Sequence, residues 1–253
     1  MNGLYRRAAF YVLLVLIWEA VSKSGLWPDY LFPSPFEVAR RIQEGLRDTS
    51  LLWALLASVQ RILIGYTLSV LAGIPVGILV GRFKFLDETV GSLMAGLQAL
   101  PSICWLPVAI LWFGLSEAAI QFVVVMGALL SIAIATDNGI KNVPPLYIRA
   151  AQTMGVSGFK LYWRVILPAS LPSVLTGMKL GWAFAWRALM AGELLFVSVG
   201  LGHLLQMGRE LLDMPLVLSV MLVISGVGVF FDQLIFSPIE RRVRLRWGLT
   251  SQV

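Results

Sequence analysis

The chain has 253 residues, of which 58% are hydrophobic and only 13% are charged, and its net charge is +6. A soluble globular domain is nearer half apolar and a quarter charged, so this composition is that of an integral membrane protein. In a membrane chain the positive balance reflects basic cytoplasmic loops, so it does not indicate nucleic-acid binding.

The first apolar segment follows Arg6 and Arg7 and runs from about residue 8 to residue 21. Because no small-x-small cleavage site follows it, we interpret the segment as an uncleaved first span whose arginines lie in the cytoplasm. Glu19, near its far end, is either an interfacial or protein-paired carboxylate, which we favour, or a residue with a role in transport.

Three prolines between residues 28 and 35 end this span, and Ser34 is suited to cap a following helix. From about residue 35 to residue 48, apolar and charged residues alternate with helical periodicity. This pattern predicts an amphipathic helix of about three turns that lies along the external membrane surface.

The second span is predicted from Leu51 to Gly81, an apolar run in which Arg61 is the ionised residue. At about 1.5 Å per residue this run exceeds the roughly 30 Å hydrocarbon core, so the helix must tilt or project. Gly73 and Gly77, together with Gly81, recur at every fourth position and predict a smooth strip for helix packing.

The third span is predicted from about residue 89 to residue 112 and contains Pro101 and Pro107 near its middle. Prolines there free backbone carbonyls, which protein or a water-filled path must satisfy. The segment is therefore either part of a pore lining or an ordinary proline kink. A fourth span is predicted from about residue 118 to residue 136.

A long polar connection follows, KNVPPLYIRAAQTMGVSGFKLYWRVILPASLP, which we name the 141–172 connection. Pro145 marks the start of a short helix and Gly155 its end. A turn from Gly155 to Gly158 and a second, basic helix leading to Leu167 and Pro168 complete a predicted helix–turn–helix. Nothing in this connection has the residue types of a catalytic site.

The fifth and sixth spans are predicted at about residues 173–195 and 216–236, with an external loop and a short helix between them and a basic tail after them. Six spans place both termini on the same side of the membrane. On this arrangement most of the 20 lysines and arginines lie on that side, together with the 141–172 connection. The asymmetry predicts that this side is the cytoplasm.

Arg187 in the fifth span is the main candidate for a residue of the substrate path. An arginine within an apolar span costs about 2.5–3.5 kcal/mol on insertion scales and rarely faces lipid. It either attracts an anionic solute or forms a structural pair with Glu193 or Glu19, and positions 187 and 193 lie on different faces of one helix. The other path candidates are Pro101, Pro107, Lys179 and Glu193. Lys179 and Arg61 lie nearer span ends, from which they could instead reach the interface.

Within the 141–172 connection, the sequence resembles the EAA loop of inner-membrane permease subunits of binding-protein-dependent ABC importers. That pattern reads Glu-Ala-Ala, three residues, Gly, nine residues, Ile, one residue, Leu-Pro. The matching positions here are Ala150, Ala151, Gly155, Val165, Leu167 and Pro168, with Val165 in place of Ile. Arg149 replaces the usual Glu, which predicts an altered charge on the partner's surface.

The segments LFPSPFEVARRI, LPSICWLPVAILWFG and AWRALMAGELLF also resemble permeases of the nitrate, sulfonate, taurine and bicarbonate group. The resemblance implies a single all-α permease domain over residues 1–253, of the type I importer kind, with six transmembrane helices in the bacterial inner membrane. It implies a homodimer, two cytoplasmic ATPase subunits docked on the two loops and an extracytoplasmic solute-binding protein. The solute expected is a small anion, or alternatively a neutral or cationic molecule such as a thiamine-precursor pyrimidine.

The sequence lacks the Gly-x4-Gly-Lys-Ser/Thr phosphate loop. We therefore expect no enzymatic activity and no cofactor on this chain, with ATP and Mg²⁺ bound by the partner ATPase. With Cys104 and His203 each the sole residue of its type, no His/Cys metal cluster or internal disulfide is expected. A stand-alone channel or secondary transporter is less consistent, because neither an inverted repeat nor a chain of titratable residues across several spans is visible. A membrane-bound enzyme would need clustered His, Cys or carboxylate residues, which the sequence also lacks.

Overall fold

The computed structural model describes residues 2–28, 30–195 and 199–247, and its long elements are α-helices. In chain order these are α1 (Asn2–Lys23), α2 (Pro35–Arg47), α3 (Ser50–Arg82), α4 (Lys84–Leu86), α5 (Ser92–Gln98), α6 (Leu106–Phe113), α7 (Glu117–Lys141), α8 (Pro145–Thr153), α9 (Gly158–Leu161), α10 (Leu167–Leu195), α11 (Leu201–Glu210), α12 (Met214–Phe231) and α13 (Ser237–Arg246). Single π turns at 87–91, 162–166 and 232–236 and a 3₁₀ turn at 102–105 join some of them. The chain divides into two compact units, Met1–Ser58 with Glu193–Gly226, and Val59–Gly192 with Val227–Val253.

Among the described residues, three helical stretches are long and apolar enough to cross a membrane: Ser50–Arg82, Glu117–Lys141 and Met214–Arg246. The bent pair Lys84–Gln98 and Ser102–Phe113 makes a fourth if it is one span. α1 and α10 coincide with the predicted first and fifth spans but carry several ionised residues and fall outside this set. The all-helical membrane fold is confirmed, while the number of six spans stays a prediction.

In the first unit, the predicted amphipathic helix is α2. Ser34 caps it as expected, and the Glu37 side chain accepts a hydrogen bond from the Ser34 backbone N–H at 2.8 Å, which completes a capping box. Val38 on the apolar face is buried, and its carbonyl accepts a hydrogen bond from the Ser219 hydroxyl at 3.0 Å. On the same helix, Arg41 pairs with Asp213 at 2.8 Å. These contacts hold α2 against the start of α12.

In the second unit, α7 is the most deeply packed of the three long apolar helices. The glycine strip of α3 faces it: a Cβ on Gly77 would lie 2.3 Å from the Ala133 carbonyl oxygen. On the opposite side, a Cβ on Gly177 of α10 would lie 2.2 Å from the Cβ of Ala135. Both helices therefore approach α7 as closely as backbones allow. The prediction that the α3 strip serves packing is confirmed.

The predicted third span is not one continuous helix, and that it crosses the membrane as a single span stays a prediction. α5 ends at Gln98, and the helices on either side of the break meet at 105°. Pro101 lies in the break, while Pro107 stands in the first turn of α6, where a missing N–H removes no helical hydrogen bond. The stretch is a sharp corner rather than a kinked helix.

The second helix of the 141–172 connection leads to Leu167 and Pro168 as predicted, but it does not end there. The helix begins at Gly158 and continues through a π turn into α10. Within the π turn, the Leu167 N–H donates to the Tyr162 carbonyl five residues back. The widened turn breaks the regular hydrogen-bond ladder just where Pro168 has no N–H to contribute. The connection is thus continuous with the predicted fifth span.

Candidate functional site

The first half of the 141–172 connection ends in a glycine-dependent turn. α8 stops at Thr153, and Gly155 adopts a φ of +78°. Its N–H donates to the Gln152 carbonyl, and the Val156 N–H donates to the Ala151 carbonyl, each at 2.9 Å. This pair of bonds is a Schellman motif, which requires the left-handed conformation that glycine adopts at low cost. The structure thus gives a physical reason for the glycine at this place in the pattern.

The outer surface of the same connection is apolar and basic. Ala151 is buried, whereas Arg149 and Ala150 are exposed. Large apolar side chains are also exposed around them: Leu146, Met154, Phe159 and Trp163. Met154 is 81% exposed, although methionine is among the residue types that are most often buried. A cluster of exposed apolar residues around a cation is typical of a surface that contacts another protein.

The connection is fastened to the end of α3 by aromatic and hydrogen-bond contacts. The Arg82 guanidinium lies 5.2 Å from the centroid of the Tyr162 ring and 5.6 Å from that of Phe159, within the range of cation–π attraction. The Tyr162 hydroxyl donates to the Ile78 carbonyl at 3.2 Å. Burial raises the pKa of the Tyr162 hydroxyl, which keeps it protonated and able to donate. A displacement of α9 would therefore reach α3 directly.

A second fastening lies where the connection begins. The Lys141 ammonium at the end of α7 is 2.8 Å from the Asp137 carboxylate on the same helix and also hydrogen-bonds Asp87. Asp87 belongs to the turn between α4 and α5. The ends of α7 and of the α4–α5 segment are thus tied together beside the connection.

A cavity of about 440 Å³ lies in the second unit beside the corner between α5 and α6. This volume is within the range of small-molecule sites. Its polar lining comes from Gln98, Ser102 and Arg187, and Pro101 also lines it. Arg187 is exposed, and its guanidinium lies 5.3 Å from the centroid of the Phe184 ring. Within the described residues, Arg187 makes no ion pair or hydrogen bond.

The remaining path candidates lie elsewhere. Pro107 does not line this cavity. Lys179 pairs with Asp232 at 2.8 Å and approaches Glu240 at 3.7 Å. Glu193 belongs to the first unit, where it is fully buried and accepts hydrogen bonds from the Ser58 hydroxyl and the Gly202 N–H. Pro101 and Arg187 are therefore the two candidates that line this cavity.

Sequence reasoning missed two groups of residues. Gln98 and Ser102 line the cavity because the chain turns by 105° between them, and the sequence marks that corner only by Pro101. Arg82 was not among the predicted site residues. Arg82 stands three residues after Leu79, at the end of the second span, and the 141–172 connection is rich in aromatic residues. These two features together were the available sequence signal for a cation–π contact.

A family model described as "Binding-protein-dependent transport system inner membrane component" matches residues 73–245, more than half of the chain. The chain belongs to this family. It is a permease subunit of an ABC importer, and ATP hydrolysis is the task of a separate subunit. The resemblance inferred from the EAA-like spacing is confirmed.

Named relatives support the subgroup as well. The chain is 30% identical to the taurine transport system permease protein TauC of Escherichia coli over 91% of this chain and 86% of that one. It is 35% identical to a protein of Methanocaldococcus jannaschii named as an ABC transporter permease, over 75% of this chain and 72% of that one. Permeases named for bicarbonate, nitrate and aliphatic sulfonates are also among its relatives.

The fold is shared with a solved importer. The structure matches a membrane chain of the MetNI methionine ABC transporter in an inward-facing conformation with a TM-score of 0.66, over 77% of this chain and 96% of that one. The two sequences are 20% identical, so this likeness speaks for the fold alone. The all-helical fold expected for an importer permease agrees with this match.

Proposed function

We propose that this permease subunit carries a small anion across the bacterial inner membrane as one half of a homodimer. Two cytoplasmic ATPase subunits dock on the two 141–172 connections, and an extracytoplasmic binding protein delivers the solute. Both termini and the connection lie in the cytoplasm, in keeping with the distribution of lysine and arginine. Transport proceeds by alternating access.

The preference for an anion rests on Arg187. Its guanidinium faces a cavity of about 440 Å³ and has no carboxylate partner among the described residues. An arginine without a charged partner in an apolar membrane helix has a high free-energy cost of insertion. Such residues therefore face a cavity in which a ligand or water contacts the charge. A sulfonate, carboxylate or nitrate would accept hydrogen bonds from this planar donor. Relatives named for taurine, bicarbonate and nitrate are consistent with this preference.

The coupling of ATP hydrolysis to transport follows from the fastenings of the connection. An ATPase that binds the exposed surface of α8 and α9 moves Phe159 and Tyr162. The rings of these two residues contact the Arg82 guanidinium at the end of α3. Because α3 and α10 both pack on α7 through glycine contacts, the three helices move as a packed group. Motion at the connection therefore changes the access to the Arg187 cavity.

The experiment is uptake by the assembled transporter. The permease is co-expressed with its ATPase and binding protein, and uptake of taurine, methanesulfonate, nitrate and bicarbonate is measured with the wild type and with Arg187→Ala. We expect ATP-dependent uptake of at least one of these anions and a loss of at least tenfold in the variant, because the anion loses its charged partner. Membrane abundance of the complex is the control and should stay unchanged.

Two results would contradict the proposal. Uptake of a neutral or cationic solute, with none of the four anions transported, would favour the alternative substrate class. Anion uptake that is undiminished in Arg187→Ala would show that this side chain does not serve the solute.

A further inference from the structure

A second cavity of about 310 Å³ lies in the second unit between α10 and the segment joining α12 to α13. Its walls include Trp182 and Trp186 from α10 and Gly228 from α12. Arg187 lines this cavity as well as the larger one beside the α5–α6 corner. The guanidinium therefore stands between two spaces, each large enough for a small solute.

The two tryptophans of this cavity are unusual in their hydrogen bonding. Trp182 and Trp186 are 7% and 8% exposed, and in the described part of the chain neither indole nitrogen has an acceptor or contact with solvent. A buried tryptophan normally finds a partner for its N–H, and an unsatisfied buried donor costs about 1–3 kcal/mol. The two residues stand one helical turn apart on the wall of one cavity, although their N–H groups are enclosed, and an acceptor from outside the chain would satisfy these donors.

The charge of the cavity favours an anionic acceptor. Lys179 and Asp232 both line it and pair with each other at 2.8 Å, so their charges offset one another. The Arg187 guanidinium is then the remaining formal charge among the lining groups. An anion would meet one cation there, and two neutral N–H donors once the indoles rotate towards the cavity.

The order of the lining residues along α10 shows on which side of Arg187 the smaller cavity lies. The larger cavity touches α10 at positions 184, 187 and 191, and the smaller one touches it from position 179 to position 187. The smaller cavity is thus displaced from Arg187 towards the 141–172 connection, which precedes α10 in the chain. Motion of a solute from the larger to the smaller cavity is motion towards the ATPase side.

We propose that the smaller cavity is a second, inner subsite for the transported anion, in which the Trp182 and Trp186 N–H groups donate to its oxygen atoms after it passes Arg187. The subsite rests on the proposed anion importer. It requires a small rotation of the indoles, since both nitrogens are enclosed in the present conformation. The two N–H groups stay unpaired until the solute arrives, so they offer the solute a second favourable site. The solute can therefore leave Arg187 instead of staying bound there.

The test removes the donors and keeps the rings. Trp182→Phe, Trp186→Phe and the double variant retain an aromatic ring to face Phe231, whose ring centroid is 4.6 Å from that of Trp182. Trp112→Phe is the matched control, because Trp112 is 67% exposed and lines neither cavity. Each is assembled with its ATPase and binding protein, and uptake is measured with whichever of taurine, methanesulfonate, nitrate and bicarbonate the wild type transports.

We expect the double variant to lower the maximal uptake rate at least tenfold with an unchanged KM, because the binding protein sets the KM and the inner subsite acts later. The single variants should fall between this and the wild type, and Trp112→Phe should match the wild type. A second readout uses 5-fluorotryptophan labelling: titration with methanesulfonate should shift the two ¹⁹F resonances that disappear in Trp182→Phe and Trp186→Phe.

The outcomes separate this inference from the proposed function. Anion uptake that depends on Arg187 but is unaffected in the double variant, with unshifted resonances, overturns the inner subsite and leaves the anion importer standing. If the wild type takes up none of the four anions, the proposed function fails first. A reduced yield of assembled dimer in the double variant, with normal uptake per complex, would assign the indoles to assembly and also overturn the subsite.

Discussion

Two ionisable side chains of α10, Glu193 and Arg187, have opposite surroundings. Glu193 is completely buried, and its carboxylate accepts hydrogen bonds from the Ser58 hydroxyl at 2.7 Å and the Gly202 N–H at 2.9 Å. Arg187 is exposed to a cavity and has no ion pair among the described residues. A buried carboxyl group whose oxygens accept hydrogen bonds stabilises the fold, whereas an exposed guanidinium without an ion pair among the described residues is available to a ligand.

The surroundings of Glu193 are built around the carboxylate. Ser58 also accepts a hydrogen bond from the Leu201 N–H at 2.9 Å, so the carboxylate and the hydroxyl together satisfy the first N–H groups of α11. A Cβ on Gly200 would lie 2.6 Å from a carboxylate oxygen of Glu193. A side chain at position 200 would therefore displace the Glu193 carboxyl group from its hydrogen bonds.

Glu193→Ala should be the most damaging change to stability. It removes the acceptor from the Ser58 hydroxyl and the Gly202 N–H and leaves both buried, at a cost of about 3 kcal/mol. We expect a large fall in the membrane abundance of the complex and in its thermal midpoint in detergent. An abundance equal to that of the wild type would contradict the structural role of this carboxylate.

Ser58→Ala should cost less, about 2 kcal/mol, because Glu193 keeps the Gly202 N–H while the Leu201 N–H loses its acceptor. The thermal midpoint should fall between those of Glu193→Ala and the wild type. Ser50→Ala near the exposed start of α3 is the control for a lost hydroxyl. Equal midpoints for Ser58→Ala and Ser50→Ala would argue against the buried network.

Arg187→Gln should change stability least, by less than about 0.5 kcal/mol, because no ion pair is broken. Thermal midpoint and abundance should match the wild type while uptake falls. A drop in midpoint as large as that of Ser58→Ala would place Arg187 among the structural residues and remove the contrast with Glu193.

Much of the local structure could be predicted from the sequence because its signals are local. Ser34 before a helical pattern marked the start of α2, and the glycines of α3 marked its packing face. Gly155 marked the turn after α8, although the Schellman bonds themselves are visible only in the structure. Each of these features depends on residues within about one or two helical turns.

The missed features depend on direction and distance. Pro101 signals a break in the helix but does not determine the angle of the bend. The corner of 105°, which places Gln98 and Ser102 in one cavity, could therefore not be predicted from the sequence. The π turn that carries the helix through Pro168 depends on a single hydrogen bond, from Leu167 to the Tyr162 carbonyl. Whether Glu193 or Arg187 was the structural charge required knowing that Ser58, far earlier in the chain, lies beside Glu193.

The most direct measurement compares Arg187→Lys with Arg187→Gln in anion uptake, normalised to the amount of assembled complex. We expect Lys, which keeps the positive charge, to retain a substantial part of the uptake rate, and Gln, which is polar but uncharged and shorter, to lower it at least tenfold. Equal uptake by the two variants would contradict the claim that the charge of Arg187 serves the transported anion.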